Sequence, residues 1–315
     1  MNSRHGTDDW PEDVHSPPTA GLFGQRKAQY DADYALDMET APTRQLLDGY
    51  RRRSGVMLAG VGIDREQAYG PTPTETFHVA WPANPTETHL LVVFYHGGWW
   101  KAGNKDDRMM LAESLVTEGV ALASVGYPLA PTTPLRVIAD AALRAARTLG
   151  PYGRRRTGRT LSIVLCGNSA GGHLACHVAG ALRASPLAGD PQIAGLCSVS
   201  GLYDLSPLRQ AFTNDWLRLS DQDVESLSPV RWLPNPAMPV LVTAGAREPP
   251  GFLAQKESYA RYLAQQGSPV TEVLLPDHDH FTAIAEIGRP GSVIYDWLLA
   301  RRPGIPAPRC THSSA

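Results

Sequence analysis

The chain has 315 residues, 43% of them hydrophobic and 19% charged, and its 29 Lys and Arg against 31 Asp and Glu leave a net charge of −2. That balance offers no basic footprint for nucleic acid and no polybasic patch for a membrane surface, and the apolar fraction excludes a disordered chain. The length suits one large α/β domain or two small ones, either able to bury a full core.

Residues 1–20 are polar, contain proline and lack an apolar h-region, so they read as a mobile leader rather than a secretory signal. A helical pattern follows around residues 31–53. Strands are expected over 75–82, 89–96, 120–127, 161–167, 195–201, 239–245 and 270–276, and helices over 105–118, 134–149, 170–184, 254–266 and 282–301. Several of the strands are nearly continuous Val, Leu, Ile and Ala, the pattern of strands covered on both faces. In 134–149, Leu135, Ile138, Ala142, Ala145 and Ala146 fall on one helical face. The alternation predicts the α/β class, a mostly parallel central sheet with helices on both faces, whose sites form beyond the carboxyl ends of its strands. Residues 21–74 and 202–236 break the alternation and read as cap segments over such a site. Residues 303–315 read as a flexible tail. No apolar run approaches the roughly 18 to 20 residues of a membrane span. Cys166, Cys176, Cys197 and Cys310 form no CxxC pair and read as thiols of a soluble, cytoplasmic protein.

The most specific chemical signal is Gly167-Asn168-Ser169-Ala170-Gly171, set between an expected strand and an expected helix. The strand, sharp turn and helix are the context a G-x-S-x-G nucleophile elbow requires. Flanking glycines leave room for a turn that strains the serine and exposes its hydroxyl. The helix start places the Ala170 N–H where an oxyanion would form. A second signal, His96-Gly97-Gly98-Trp99-Trp100, ends another strand, and its two glycines can turn N–H groups into the same pocket. His96 reads as a loop-shaping residue. Trp99 and Trp100 read as pocket walls, one facing substrate and one packing, and Trp216 in the second cap segment offers another flat surface. A serine nucleophile needs a base, and the base an orienting carboxylate, in the chain order serine, acid, histidine. The loop after strand 239–245 holds one carboxylate, Glu248, and His278 and His280 compete in Asp277-His278-Asp279-His280. That alternation does not complete a metal-ligand set with residues elsewhere.

These motifs resemble the α/β-hydrolase superfamily, and within it the hormone-sensitive-lipase-like esterases and the kynurenine formamidase (arylformamidase) group. HGGWWKAGNKDD and GNSAGGHLA carry the resemblance, with residues 202–208 and Ser228-Pro229 resembling a DL-x-PL … SP connection. The stretch around Tyr30 and Tyr69-Gly70-Pro71 extends it over roughly residues 28–300. The Gly-x-x-Glu turn and the His-Phe pair of that group select Glu248 as acid and His280 as base. This sequence departs from the group at Asn168, where His is commoner, and at Trp99, where Tyr is commoner. It also departs at Pro249-Pro250-Gly251 and at Tyr127-Pro128-Leu129.

The resemblance implies a single α/β-hydrolase domain over residues 21–302 and a serine hydrolase acting through an acyl-enzyme. Its oxyanion hole would draw on Gly97, Gly98 and Ala170, its pocket on Trp99, Trp100 and Trp216, and no cofactor or metal is expected. The expected partner is a small-molecule substrate, an aryl formamide or an aromatic or short-chain ester, with no nucleic acid and no membrane; a homodimer stays open. The alternatives are a tailoring esterase or acyltransferase on the same triad and a non-catalytic binding module of this fold.

Overall fold

The computed structural model describes residues 27–304 other than Leu233. The expected leader, most of the expected tail and Cys310 lie outside the described residues. Eight strands form one sheet: β1 (Ile63–Ala68), β2 (Thr76–Ala80), β3 (Leu90–Tyr95), β4 (Val120–Val125), β5 (Ser162–Asn168), β6 (Gln192–Val199), β7 (Val240–Gly245) and β8 (Val270–Leu275). Their order is β1-β2-β4-β3-β5-β6-β7-β8; β2 is antiparallel to both β1 and β4, and every other pairing is parallel.

The centre follows from the sequence pattern. Every residue of β3, β4, β5 and β7 is buried, as continuous apolar strands covered on both faces should be. Alternation divides them: Leu91, Val93 and Tyr95 join one apolar cluster, while Leu90, Val92 and Phe94 join the other. β1 was not expected. Its IDREQA has no apolar run, lies half-exposed at the sheet edge, and loses register between Asp64 and Gln67.

The helices are α1 (Lys27–Asp33), α2 (Ala41–Ala59), α3 (Ala112–Thr117), α4 (Leu135–Thr157), α5 (Ala170–Ala184), α6 (Ser206–Gln210), α7 (Asn214–Leu217), α8 (Asp221–Leu227), α9 (Pro250–Gln265) and α10 (Val293–Leu299). Three expected helices are broken. The 31–53 stretch divides into α1 and α2, the latter restarted by Thr40, whose side chain accepts the Thr43 N–H. Each of 105–118 and 282–301 begins as a 3₁₀ turn before its α-helix. Conversely, α4 runs through Pro151 and stops only at Gly158, whose φ of 76° closes it. Among the described residues no helix is long and apolar enough to cross a membrane.

The two segments expected as caps meet. The Phe212 N–H, in the α6–α7 connection, donates to the Asp31 carboxylate of α1. Tyr34, just after α1, is fully buried, and its hydroxyl accepts from Gln255 of α9 at 3.0 Å.

Candidate active site

β5 delivers the chain to Ser169, whose φ of 57° and ψ of −124° lie outside the regions open to most side chains, and α5 starts at the next residue. The turn is possible because Gly171 has no side chain: a Cβ there would stand 1.9 Å from the Tyr95 carbonyl oxygen at the end of β3. The Ser169 N–H donates to the Val199 carbonyl at 2.9 Å, tying the elbow to the end of β6.

The His96–Trp100 loop lies directly against this serine, since a Cβ on Gly97 would come within 3.1 Å of the Ser169 Cβ. Gly98 adopts φ 120°, and a Cβ there would strike the Ala102 carbonyl at 2.2 Å, so only glycine fits. The Gly97 N–H, however, donates to Asn168 Oδ1 at 3.2 Å. This corrects the expectation for Gly97: its donor is occupied by the asparagine that replaces the commoner histidine. Among the described residues the main-chain N–H groups of Gly98, Trp99 and Ala170 have no acceptor. The Trp99 main chain was missed by the sequence reading, which considered only its ring. His96 shapes the loop as expected: its ring stacks on Tyr127 at 4.2 Å, its Nδ1 lies 2.8 Å from the Gly97 carbonyl, and Tyr127 Oη donates to the His96 carbonyl. Burial lowers its pKa to about 4, so it stays neutral.

Asp277-His278-Asp279-His280 resolves into four separate jobs. Asp277 meets Arg247 at 3.1 Å on the exposed surface. His278 Nε2 lies 3.0 Å from Glu286, which also pairs with Arg289. Asp279 accepts the N–H groups of Phe281 and Thr282 and so fixes the turn; burial pushes its carboxyl up, but these hydrogen bonds and nearby His280 hold it below the usual range. His280 Nδ1 lies 2.7 Å from Glu248 Oε2, with the Glu248 side chain wholly buried and His280 nearly so. Glu248 follows β7 directly. Its other oxygen, Oε1, accepts from the Gly245 N–H at 2.7 Å and from Ser200 Oγ at 2.5 Å. Ser200 escaped the sequence reading, because a serine in a small-residue run after a strand carries no signal.

Aromatic rings surround this group. Phe252 sits 4.3 Å from the His280 ring and 5.7 Å from Trp99, and Trp99 also meets Tyr34 at 6.5 Å and Phe212 at 5.7 Å. Trp216 Nε1 donates to the Trp99 carbonyl at 3.2 Å, and Lys101 Nζ lies 4.2 Å from its ring. Both segments expected as caps therefore contribute rings or hydrogen bonds around Trp99. Of the two tryptophans Trp100 is the one that packs: it is fully buried, with its ring edge-on to His173 at 4.9 Å, which removes it from the expected pocket residues. A cleft of about 270 Å³ opens on Trp216, between Pro131, Leu135, Arg136, Arg218 and Asp223, and neither Ser169 nor His280 lines it.

Among the described residues one group of possible metal ligands converges, Glu66, His78 and Asp106 at the β1–β2 edge. Its centre is already served by Lys105 Nζ, 3.0 Å from Glu66 and 3.5 Å from Asp106. His78 Nδ1 accepts the Glu66 N–H at 3.1 Å, which leaves the proton on Nε2, facing Asp106 at 2.9 Å rather than a cation. The cluster is an ion-pair network that anchors Lys105 and Asp106, at the far end of the connection that follows β3, to the sheet edge.

A family model described as the alpha/beta hydrolase fold matches residues 92–284. The chain belongs to this family. Kynurenine formamidase from Danio rerio is 29% identical over 224 residues, covering 70% of this chain and 75% of that protein. The kynurenine formamidase of Salmo salar is 29% identical over 259 residues, covering 80% and 85%. Among solved structures, a candidate thioesterase from Silicibacter sp. TM1040 superposes with a TM-score of 0.74 at 23% identity, covering 87% of this chain and 98% of that one. This chain is a hydrolase of the α/β type.

Proposed function

We propose that the chain is a serine hydrolase that cleaves a small aryl formamide or an aromatic or short-chain ester through Ser169, His280 and Glu248. The observation that carries the reading is the buried 2.7 Å bond from His280 Nδ1 to Glu248 in a molecule that also builds a strained Ser169 elbow against a glycine loop. Glu248 accepts a hydrogen bond from Nδ1–H, which keeps that proton on Nδ1 and leaves the Nε2 lone pair to serve as base. Nε2 takes the Ser169 proton as Oγ attacks the carbonyl carbon. The tetrahedral oxyanion is held by main-chain N–H groups drawn from Gly98, Trp99 and Ala170. The protonated Nε2 then gives its proton to the departing amine or alcohol, and water repeats the sequence on the acyl-enzyme.

The likeness to two kynurenine formamidases supports the formamide reading, and the aromatic rings around His280 and Trp99 suit a planar substrate. Turnover of N-formylkynurenine measured beside short p-nitrophenyl esters separates the two. Good ester hydrolysis with negligible formamide turnover removes the formamide reading and leaves the esterase. A fluorophosphonate probe tests catalysis itself: it should label the wild type and not Ser169→Ala.

A further inference from the structure

The buried acid of this site has three donors and two oxygens, and one of its two side-chain donors has no place in the mechanism above. Glu248 Oε2 receives His280, while Oε1 receives the Gly245 N–H and the Ser200 hydroxyl. We propose that Ser200 is a positioning residue of the catalytic group, holding Glu248 so that its second oxygen meets His280 in the productive orientation. The inference rests on the Ser169, His280 and Glu248 reading.

Two observations besides the 2.5 Å contact support it. First, Ser200 is 1% exposed and has φ 54°, a conformation in which glycine carries no strain and serine does. A serine kept there retains a hydroxyl at a backbone cost, and that hydroxyl faces the carboxylate. Second, the end of β6 holds both ends of the catalytic group with consecutive residues. The Val199 carbonyl accepts the Ser169 N–H at 2.9 Å, and Ser200 Oγ donates to Glu248 while its own N–H donates to Thr243 of β7 at 2.7 Å. A fully buried carboxylate that loses a charge-assisted donor turns toward whatever donors remain, and His280 turns with it.

The test compares full-length wild type, Ser200→Gly and Ser200→Ala with a short p-nitrophenyl ester, a fluorophosphonate probe and thermal unfolding. Ser200→Gly removes the hydroxyl but relieves the backbone, so the two effects on stability oppose each other and its Tm should stay within a few degrees of the wild type. Its kcat and its rate of Ser169 labelling should nevertheless fall about 10- to 100-fold with KM nearly unchanged. Ser200→Ala, which keeps the strain, should lose the same activity. Labelling and kcat within twofold of wild type in both variants overturn the proposal. So does a loss of activity that merely follows a loss of Tm in Ser200→Gly, because the hydroxyl is then structural. A wild type that resists the probe instead overturns the underlying reading of Ser169, an outcome visible before any Ser200 variant is made.

Discussion

The sheet centre and the cover above it are built on opposite terms. β3 and β5 are buried at every position, and the turns that leave them are fixed by contacts no side chain could share, such as Gly171 against the Tyr95 carbonyl. The cover is made of α1 and the short α6, α7 and α8, joined by edge-on rings and by the bond from the Phe212 N–H to Asp31. Rigid packing holds the reacting groups in one geometry, whereas a thin aromatic layer can open and reclose at small cost. If this contrast is right, changes in the centre should abolish chemistry or folding, and changes in the cover should alter access.

The largest effect should come from His280. His280→Ala should reduce kcat on the order of 10⁴-fold or more, as loss of a base does in a serine hydrolase. His278→Ala should keep most of kcat and lose stability instead, because it removes a partner of the buried Glu286. Ester kinetics on the two variants decide it, and the reverse pattern would exchange their roles. Next comes Gly171→Ala. A methyl 1.9 Å from a main-chain oxygen forces the elbow helix off the sheet, so roughly 3 kcal/mol or more of stability should be lost. A variant that unfolds in urea at the wild-type midpoint would show that the elbow is looser than its geometry says.

Between the two regions stands His173, on α5, whose Nε2 donates to the Leu227 carbonyl of the second cap segment at 2.9 Å. Burial drives its pKa down to about 3. A histidine held neutral when folded contributes its full stability above the unfolded value near 6.5. That contribution declines as pH falls from there toward 3, since the unfolded chain binds the proton first. At pH 5 the loss is about 2 kcal/mol from this residue, with His96 adding to the same slope. Urea unfolding at pH 7 and pH 5 should therefore show a shallower pH dependence in His173→Gln. An unchanged slope would mean that His173 is protonated without unfolding, and that the cap segment is not fastened through it.

The same contrast explains what the sequence could reveal. Seven of eight strands were legible: the buried ones write their burial as an apolar run, and half-exposed β8 still carries Val270, Val273, Leu274 and Leu275; β1, with Arg65 and Glu66 exposed at the edge, writes nothing. Ser169 and Glu248 could be picked out as candidates because an elbow and a strand end fix their place along the chain. His280 was separable from His278 only by resemblance, since both lie within one turn and their partners, Glu248 and Glu286, are set by folding. Trp99 and Trp100 are identical neighbours in sequence. Both have positive φ, yet one ends in the aromatic cover and the other edge-on to His173 in the core. Ser200 and the occupied Gly97 N–H depend on contacts between distant segments, and no local pattern records those.

The smallest effect should be at the seam of the cover. Asp31 accepts the Phe212 N–H and pairs with Lys27 at the surface, where a charge-assisted bond contributes on the order of 1 kcal/mol. Asp31→Ala should leave global stability and kcat close to wild type, because nothing in the sheet centre depends on it. It should instead increase opening of the segment around Phe212, seen as faster hydrogen exchange at residues 205–220 and a few-fold faster reaction of Ser169 with a bulky fluorophosphonate. A small probe should gain less, since it needs less of the cover to move. Equal acceleration for both probes would argue that Asp31 acts on the reactivity of the serine itself. No acceleration for either would mean that the rings around Trp99 keep the cover closed without the seam, making that layer as rigid as the sheet beneath it.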